Sequence, residues 1–159
     1  MKLTLLGTGC PSIDYKRCGS ANLICSKETK ILIDCGSGVT QRLNQSGHSS
    51  ADIDALLLTH LHTDHVIDLY QLIISSWHSD RDSIWKIYGP KGTKKFVDKI
   101  FSAWKIEREL RILYEKRKST KGLKYKVYEF NKKGSISIND IKIQYFEVDH
   151  KPVKFAYGF

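Results

Sequence analysis

Hydrophobic and polar positions along the chain predict a mixed α/β protein. Residues 2–6 alternate and then meet Gly7-Thr8-Gly9, which predicts a strand that ends in a tight turn. Residues 55–59 form the continuous apolar run ALLLT, which is typical of a strand buried on both faces. Further β-rich runs predict strands at 21–25, 30–34, 85–88, 110–114, 125–130, 136–138, 141–148 and 154–159.

Apolar residues at helical spacing predict three helices between these strands. The first contains Val39 and Leu43 and ends near Gly47, a residue that suits a helix C-terminus. The second covers residues 66–77 and the third covers residues 93–104, with lysines on the polar side of the third.

Composition agrees with a folded chain and adds a marked charge asymmetry. The 159 residues are 41% hydrophobic and 27% charged, which is ordinary globular usage, and no apolar run is long enough to cross a membrane. The formal net charge is +9, whereas residues 86–133 alone hold 16 Lys and Arg against five Asp and Glu, a net charge of +11. A clustered excess of this kind suits a phosphate-rich partner such as RNA, and it also suits a solvated face.

The N-terminus and the cysteines favour a cytoplasmic protein. The apolar stretch at residues 3–6 is too short for the core of a secretion signal. The four cysteines contain no pair at a two-residue gap, so they indicate neither a zinc site nor a redox motif. We expect them to stay reduced in a cytoplasm.

One short segment carries the candidate chemistry. Residues 59–65 read THLHTDH and follow the predicted buried strand directly. Residues two apart in an extended segment point the same way, so His60 and His62 can face one ion together. Asp64 and His65 lie where the chain turns into a helix and offer a second group of ligands. Imidazole and carboxylate suit zinc, and also iron or manganese.

This HxHxDH segment makes the sequence resemble the metallo-β-lactamase superfamily. Two other segments, LLGTG at 5–9 and IDCG at 33–36, resemble the first strand and the Asp-Gly turn of the superfamily. Two more are similar to its ribonuclease Z and arylsulfatase-like branch: IYGPKG at 87–92, and VDH at 148–150 followed by FAYG at 155–158. The resemblance implies an αββα sandwich with mixed sheets, of which residues 1–159 are the N-terminal half. We therefore expect one metallo-hydrolase domain that is cut on its C-terminal side.

The resemblance also implies roles for individual residues. His60, His62 and His150 would bind a first metal, and Asp64 and His65 would bind a second, with one or two Zn²⁺ expected and Mn²⁺ or Fe²⁺ as alternatives. Asp64 would also accept or orient the proton of the attacking water. Asp34 would orient a ligand histidine, or alternatively would only shape a turn before Gly36. His150 could instead be a strand-end histidine with local hydrogen bonds.

Three functions remain open at this point. The first is a ribonuclease Z-like phosphodiesterase that cleaves tRNA precursors at their 3′ ends through a metal-activated water. The second is hydrolysis of a small ester, sulfate or cyclic nucleotide, favoured because residues 11–18 depart from the Pro-x-Lys-x-Arg-Asn loop of typical ribonuclease Z. The third is a non-catalytic fragment that needs a second half. The last strand then leaves an exposed edge that invites another chain, and a homodimer is one such pairing.

Overall fold

The computed structural model describes all residues, Met1–Phe159, and its centre is a six-stranded sheet. The strands lie side by side in chain order. They are β1 (Lys2–Gly7), β2 (Ala21–Ser26), β3 (Thr29–Ile33), β4 (Ala55–Leu57), β5 (Trp85–Gly89) and β6 (Tyr125–Glu129). Strands β1 to β3 are antiparallel neighbours, whereas β3 to β6 are parallel. The parallel pairs follow from the intervening helices, because a parallel neighbour needs a long crossover connection.

Helices cover one face of this sheet. They are α1 (Val39–Gln45), the single-turn α2 (Thr63–Val66), α3 (Leu69–His78), α4 (Thr93–Ala103) and α5 (Lys105–Glu115). Short 3₁₀ turns lie at Ser50–Asp52 and Lys121–Leu123. All five α-helices are too short or too polar to span a lipid bilayer.

A second, smaller sheet covers the opposite face. Its three antiparallel strands are β7 (Lys133–Ile138), β8 (Ile141–Glu147) and β9 (Tyr157–Gly158). Leu56 belongs to the core under the helices, whereas Leu57 belongs to the core between the two sheets. Successive strand residues point to opposite faces, so β4 is buried on both sides, as the run at 55–59 predicts. The layers are therefore helix, sheet and sheet, which are three of the four layers of the expected αββα sandwich.

The predicted strand at 110–114 is wrong, because these residues lie in α5. The segment carries ion pairs four residues apart, including Lys105 with Glu109 and Arg111 with Glu115, and such pairs stabilise a helix. Helix α5 packs on α3 through its polar side: the Tyr70 hydroxyl donates to Glu107 at 2.8 Å. Its apolar side chains, which a strand prediction would bury, instead point to solvent.

Two further boundaries differ from the predictions. The helix expected at 66–77 is two helices, since the chain turns between α2 and α3 at Ile67 and Asp68. The strand expected at 154–159 is reduced to Tyr157–Gly158, because a tight turn from His150 to Val153 precedes it. Both differences lie beside the histidines and change how the chain enters and leaves the candidate site.

Candidate active site

The candidate site lies at the carboxyl ends of two neighbouring parallel strands. Asp34 follows β3, and Thr59 and His60 follow β4. The backbone N–H of Asp34 donates to the carbonyl of Leu57 at 2.7 Å, so the two strand ends are joined directly. Functional side chains collect at such strand ends in α/β proteins, because loops there are held by a rigid sheet.

Asp34 organises the floor of the site. It is 1% exposed, and its backbone has a φ of 61°, a conformation that Asp tolerates better than most residues. Its carboxylate accepts hydrogen bonds from the backbone N–H of Thr59 at 2.8 Å and from the Thr59 hydroxyl at 2.9 Å. It also lies 2.7 Å from Nδ1 of His65. Asp34 therefore orients His65, which is the positioning role that the resemblance implies.

Three histidines converge above this floor. Ligand nitrogens of His60, His62 and His150 all lie within 4.8 Å of one another, and Nε2 of His60 is 3.1 Å from Nδ1 of His62. His60 is buried, whereas His62 and His150 are exposed. The first two come from one extended segment, and His150 reaches them from the turn after β8. The structure therefore brings together the three side chains expected to share an ion.

Asp64 and His65 lie beside this cluster on the single turn of α2. Nε2 of His65 is 3.6 Å from Oδ2 of Asp64, and the rings of His60 and His65 are centred 4.1 Å apart. Oδ1 of Asp64 is buried and has no hydrogen-bond partner. A buried carboxylate oxygen without a partner is costly, and a bound cation satisfies it. The three imidazoles form a donor set that fits a divalent metal such as zinc, and Asp64 lies beside this set with His65.

Burial and neighbouring charges set the protonation of the histidines. Burial, followed by the nearby imidazoles, lowers the pKa of His60 to about 4. At neutral pH this ring is uncharged, which is the form that binds metals. Burial also lowers the pKa of His65, but its hydrogen bond to Asp34 and the charges of Asp34 and Asp64 outweigh this effect, so its pKa is raised overall.

Backbone packing holds Asp64 in place from two distant segments. The carbonyl of Asp64 accepts a hydrogen bond from the backbone N–H of Ser20 at 3.1 Å. A Cβ atom on Gly36 would lie 2.0 Å from this carbonyl oxygen, and one on Gly19 would lie 2.9 Å from it. Both positions therefore require glycine. The sequence reasoning missed these contacts and also missed Thr59, since neither a small residue nor a lone hydroxyl signals a long-range contact.

Two cavities adjoin the site. One of about 280 Å³ lies beside Asp64, between the loop after β1 and the start of α2, and Arg17 lines it. The other, of about 200 Å³, lies beside His62.

Part of the basic segment at 86–133 is already neutralised by the protein itself. Lys94 pairs with Asp98 at 2.7 Å, and Lys121 pairs with Asp82 at 3.4 Å.

The four cysteines are free thiols, as predicted, and only Cys35 is buried. Burial raises the pKa of the Cys35 thiol, which keeps it protonated. The cluster of ligand nitrogens at the site contains no cysteine.

The fold and the sequence relatives of the chain place it in the metallo-β-lactamase superfamily, in the ribonuclease Z branch. Within it, the chain belongs to the family described as "Anti-Pycsar protein Apyc1", whose model matches residues 1–159. Ribonuclease Z from Mycobacterium bovis is 33% identical over 162 residues, which cover 100% of this chain and 58% of that protein. Ribonuclease Z from Mycolicibacterium gilvum is 34% identical, with 100% and 56% covered. The chain thus spans about half the length of the curated relatives it matches.

Solved structures show the same fold. Human tRNase Z, short form, has a TM-score of 0.63 and 27% identity, covering 81% of this chain and 44% of that one. The metallo-β-lactamase fold protein YhfI from Bacillus subtilis has a TM-score of 0.70 and 22% identity, covering 98% and 54%. At the latter identity the likeness shows the fold alone. The relatives above 25% identity are named ribonuclease Z and tRNase Z, and the chain shares their fold.

Proposed function

We propose that the chain is the metal-binding half of a phosphodiesterase that resembles ribonuclease Z. The observation that carries the proposal is the convergence of His60, His62 and His150, whose ligand nitrogens lie within 4.8 Å, beside the unpartnered Oδ1 of Asp64. Imidazole and carboxylate groups suit zinc, with manganese or iron as alternatives. Residues 1–159 form one metallo-hydrolase domain in this proposal, completed by a further segment that carries the remaining ligands.

Each residue has a distinct task. His60, His62 and His150 hold the first metal, and Asp64 and His65 hold the second. A metal bound there supplies an activated water and stabilises charge on the phosphate oxygens. We infer that Asp64 accepts or orients the proton of that water, because its carboxylate lies in the second group of ligands, 3.6 Å from Nε2 of His65. Asp34 keeps the His65 ring in one orientation through its 2.7 Å contact.

The proposed substrate is an RNA phosphodiester, with the 3′ end of a precursor tRNA as the first candidate. The curated relatives that match the whole chain are named ribonuclease Z, and 33% identity over 162 residues supports a shared reaction type. The +11 segment at 86–133 supplies phosphate contacts, which position RNA without reading its sequence. Not all of these charges are free, so we expect the contacts to involve the unpaired lysines.

A second candidate is a small phosphodiester such as a cyclic nucleotide. The family model that spans residues 1–159 carries the name of an anti-Pycsar protein, not of a ribonuclease. Membership of this family therefore does not bring a tRNA substrate with it. The loop at 11–18, which lines the cavity beside Asp64, also lacks the ribonuclease Z loop pattern.

Turnover of three substrates tests the proposal. The full-length protein, in which residues 1–159 are joined to the segment that completes the site, is incubated with a 3′-extended precursor tRNA, a 3′,5′-cyclic nucleotide and a simple aryl phosphodiester, each with and without Zn²⁺ or Mn²⁺. We expect metal-dependent cleavage that Asp64→Asn abolishes, while Glu28→Gln, which removes an exposed carboxylate in the turn between β2 and β3, leaves cleavage unchanged. Bound metal without cleavage of any diester would overturn the proposal and favour a non-catalytic role.

A further inference from the structure

The cavity beside His62 combines positive charge with an aromatic ring. It is a cleft of about 200 Å³, lined by the turn that begins α4 and by the segment before β9. Its exposed charged side chains are Lys91 and Lys154, and the ring of Phe155 forms part of its wall. The ammonium of Lys154 lies 5.6 Å from the centre of that ring.

Both lysines are free to bind an anion from outside the chain. Neighbouring Lys94 and Lys151 pair with Asp98 and Asp149, whereas neither Lys91 nor Lys154 forms a salt bridge. The N-terminus of α4 does not compete for the anion, because the Glu129 carboxylate already accepts hydrogen bonds from the first backbone N–H groups of this helix. The positive charge of the cleft therefore resides in the two ammonium groups.

Fixed turns carry both lysines. The hydroxyl of Thr93 donates to the carbonyl of Pro90 at 2.7 Å and closes the turn that holds Lys91. Gly92 in this turn has a φ of 102°, and a Cβ there would lie 3.8 Å from Leu61, the residue between the two histidines. On the other side, the backbone N–H of Val153 donates to the carbonyl of His150 at 2.8 Å, just before Lys154.

We propose that this cleft binds one nucleotide unit of the substrate, with its phosphate between Lys91 and Lys154 and its base against Phe155. The assignment rests on the proposed function, because the cleft opens beside His62. Ammonium groups attract phosphate, and an aromatic ring stacks on any base without requiring a particular sequence. The shared ligand chemistry is a nucleoside phosphate, from either an RNA chain or a free nucleotide.

Binding of adenosine 5′-monophosphate tests the cleft without turnover, since a monoester offers no diester bond. Calorimetry compares the wild-type chain with the double variant Lys91→Gln/Lys154→Gln and with Lys95→Gln, an exposed lysine of α4 outside the cleft. We expect the double variant to bind about tenfold more weakly, since an exposed ion pair contributes roughly a factor of three. Lys95→Gln should change the affinity less than about twofold. All three replaced lysines are exposed, so we expect both variants to fold.

Two further ligands show whether the cleft binds a nucleotide of an RNA chain or a free nucleotide. For a single-stranded RNA oligonucleotide, the slope of log K against log salt should fall by about 1.4 in the double variant if both lysines contact its phosphates. If the double variant loses affinity for 3′,5′-cyclic AMP but binds RNA as the wild type does, the cleft binds a free nucleotide. Equal affinity of wild type and double variant for all three ligands would overturn the proposal, as would an equal loss in Lys95→Gln. Turnover is measured separately, so an inactive chain that still binds nucleotide through these lysines refutes only the proposed function.

Discussion

Gly36→Ala is the sharpest test of how the site is held together. The new methyl group would lie 2.0 Å from the Asp64 carbonyl oxygen, 2.6 Å from the backbone of Gly19 and 2.7 Å from the backbone nitrogen of Ser20. All three contacts are backbone atoms, so no side chain can rotate away to relieve the overlap. The segments at 19–20, 36 and 64 must therefore move apart.

The expected loss of stability follows from these contacts. Overpacking in a tight interior costs about 1–3 kcal/mol, and separating the segments weakens the hydrogen bonds from Gly36 to Ser20 and from Ser20 to Asp64, each contributing about 1 kcal/mol. We expect the free energy of unfolding to fall by about 3 kcal/mol. For a chain of this size, that corresponds to a decrease in Tm of roughly 6–12 °C. Metal affinity should fall as well, because Asp64 lies in the same short segment as His60 and His62 and moves with its backbone.

Gly47→Ala is the matched control. Gly47 has a φ of 82° but no atom within 4 Å of a Cβ, so only backbone strain of about 1 kcal/mol is added there. Both variants are compared by thermal melting, monitored by circular dichroism, and by zinc titration. The comparison separates the effect of backbone strain in Gly47→Ala from the effect of steric overlap in Gly36→Ala. A Gly36→Ala chain that melts within about 2 °C of Gly47→Ala and binds zinc equally well would refute the proposed packing of the site.

Three other predictions follow from buried or charged groups. Equilibrium dialysis with elemental analysis should find one tightly bound metal per chain, and two tightly bound ions would contradict this. His62→Ala should lower the metal affinity by at least about 100-fold, since even residues that only contact a metal ligand contribute 10–100-fold. Arg81 is 4% exposed, and its guanidinium donates hydrogen bonds only to backbone carbonyls. Arg81→Met leaves these buried carbonyls without a donor, so urea titrations should show a free energy of unfolding lower by about 3 kcal/mol. An unchanged urea midpoint would contradict this. Hydrogen bonds from Arg117 and His78 lower the pKa of Glu115 from 4.5 to about 2. Because the folded pKa is the lower one, the stability from Glu115 is present above pH 4.5 and is lost as the pH falls towards 2. Acid unfolding of Glu115→Gln should lack the loss of stability that Glu115 causes between pH 4.5 and 2. Acid unfolding identical to that of the wild type would exclude this role of Glu115.

The sequence was sufficient for the elements whose residues interact locally or follow a strict period. The strand at 55–59 was predicted from its apolar run, and His60 and His62 were placed on one side by the two-residue period of extended chain. The neighbouring position of His150 came only from the resemblance, since no local pattern links residues 90 positions apart. In the structure, the pairing of β7 with β8 and the turn after β8 bring this histidine to the other two.

Helix α5 shows why the remaining elements could not be predicted. Its apolar positions, Ile106, Leu110 and Leu113, are 75%, 50% and 64% exposed, whereas its charged side faces α3. Pattern reasoning assumes that the apolar face is buried, and this assumption fails where polar contacts such as Tyr70 to Glu107 attach the helix. The five apolar-rich residues at 110–114 then resemble a short strand. Only tertiary contacts resolve the ambiguity.

The hydrogen bonds of Asp34 also bear on how the sheet forms. The donors of Thr59 reach this carboxylate only when Ile33 lies opposite Leu57 in the β3–β4 pair. A slip of one residue would move Thr59 by about 3.3 Å and reverse the direction of its side chain. The Asp34 charge would then be buried without partners, at a cost of several kcal/mol. Asp34 therefore disfavours misregistered sheets during folding, and a chain with Asn at this position should tolerate such misfolded pairings more readily.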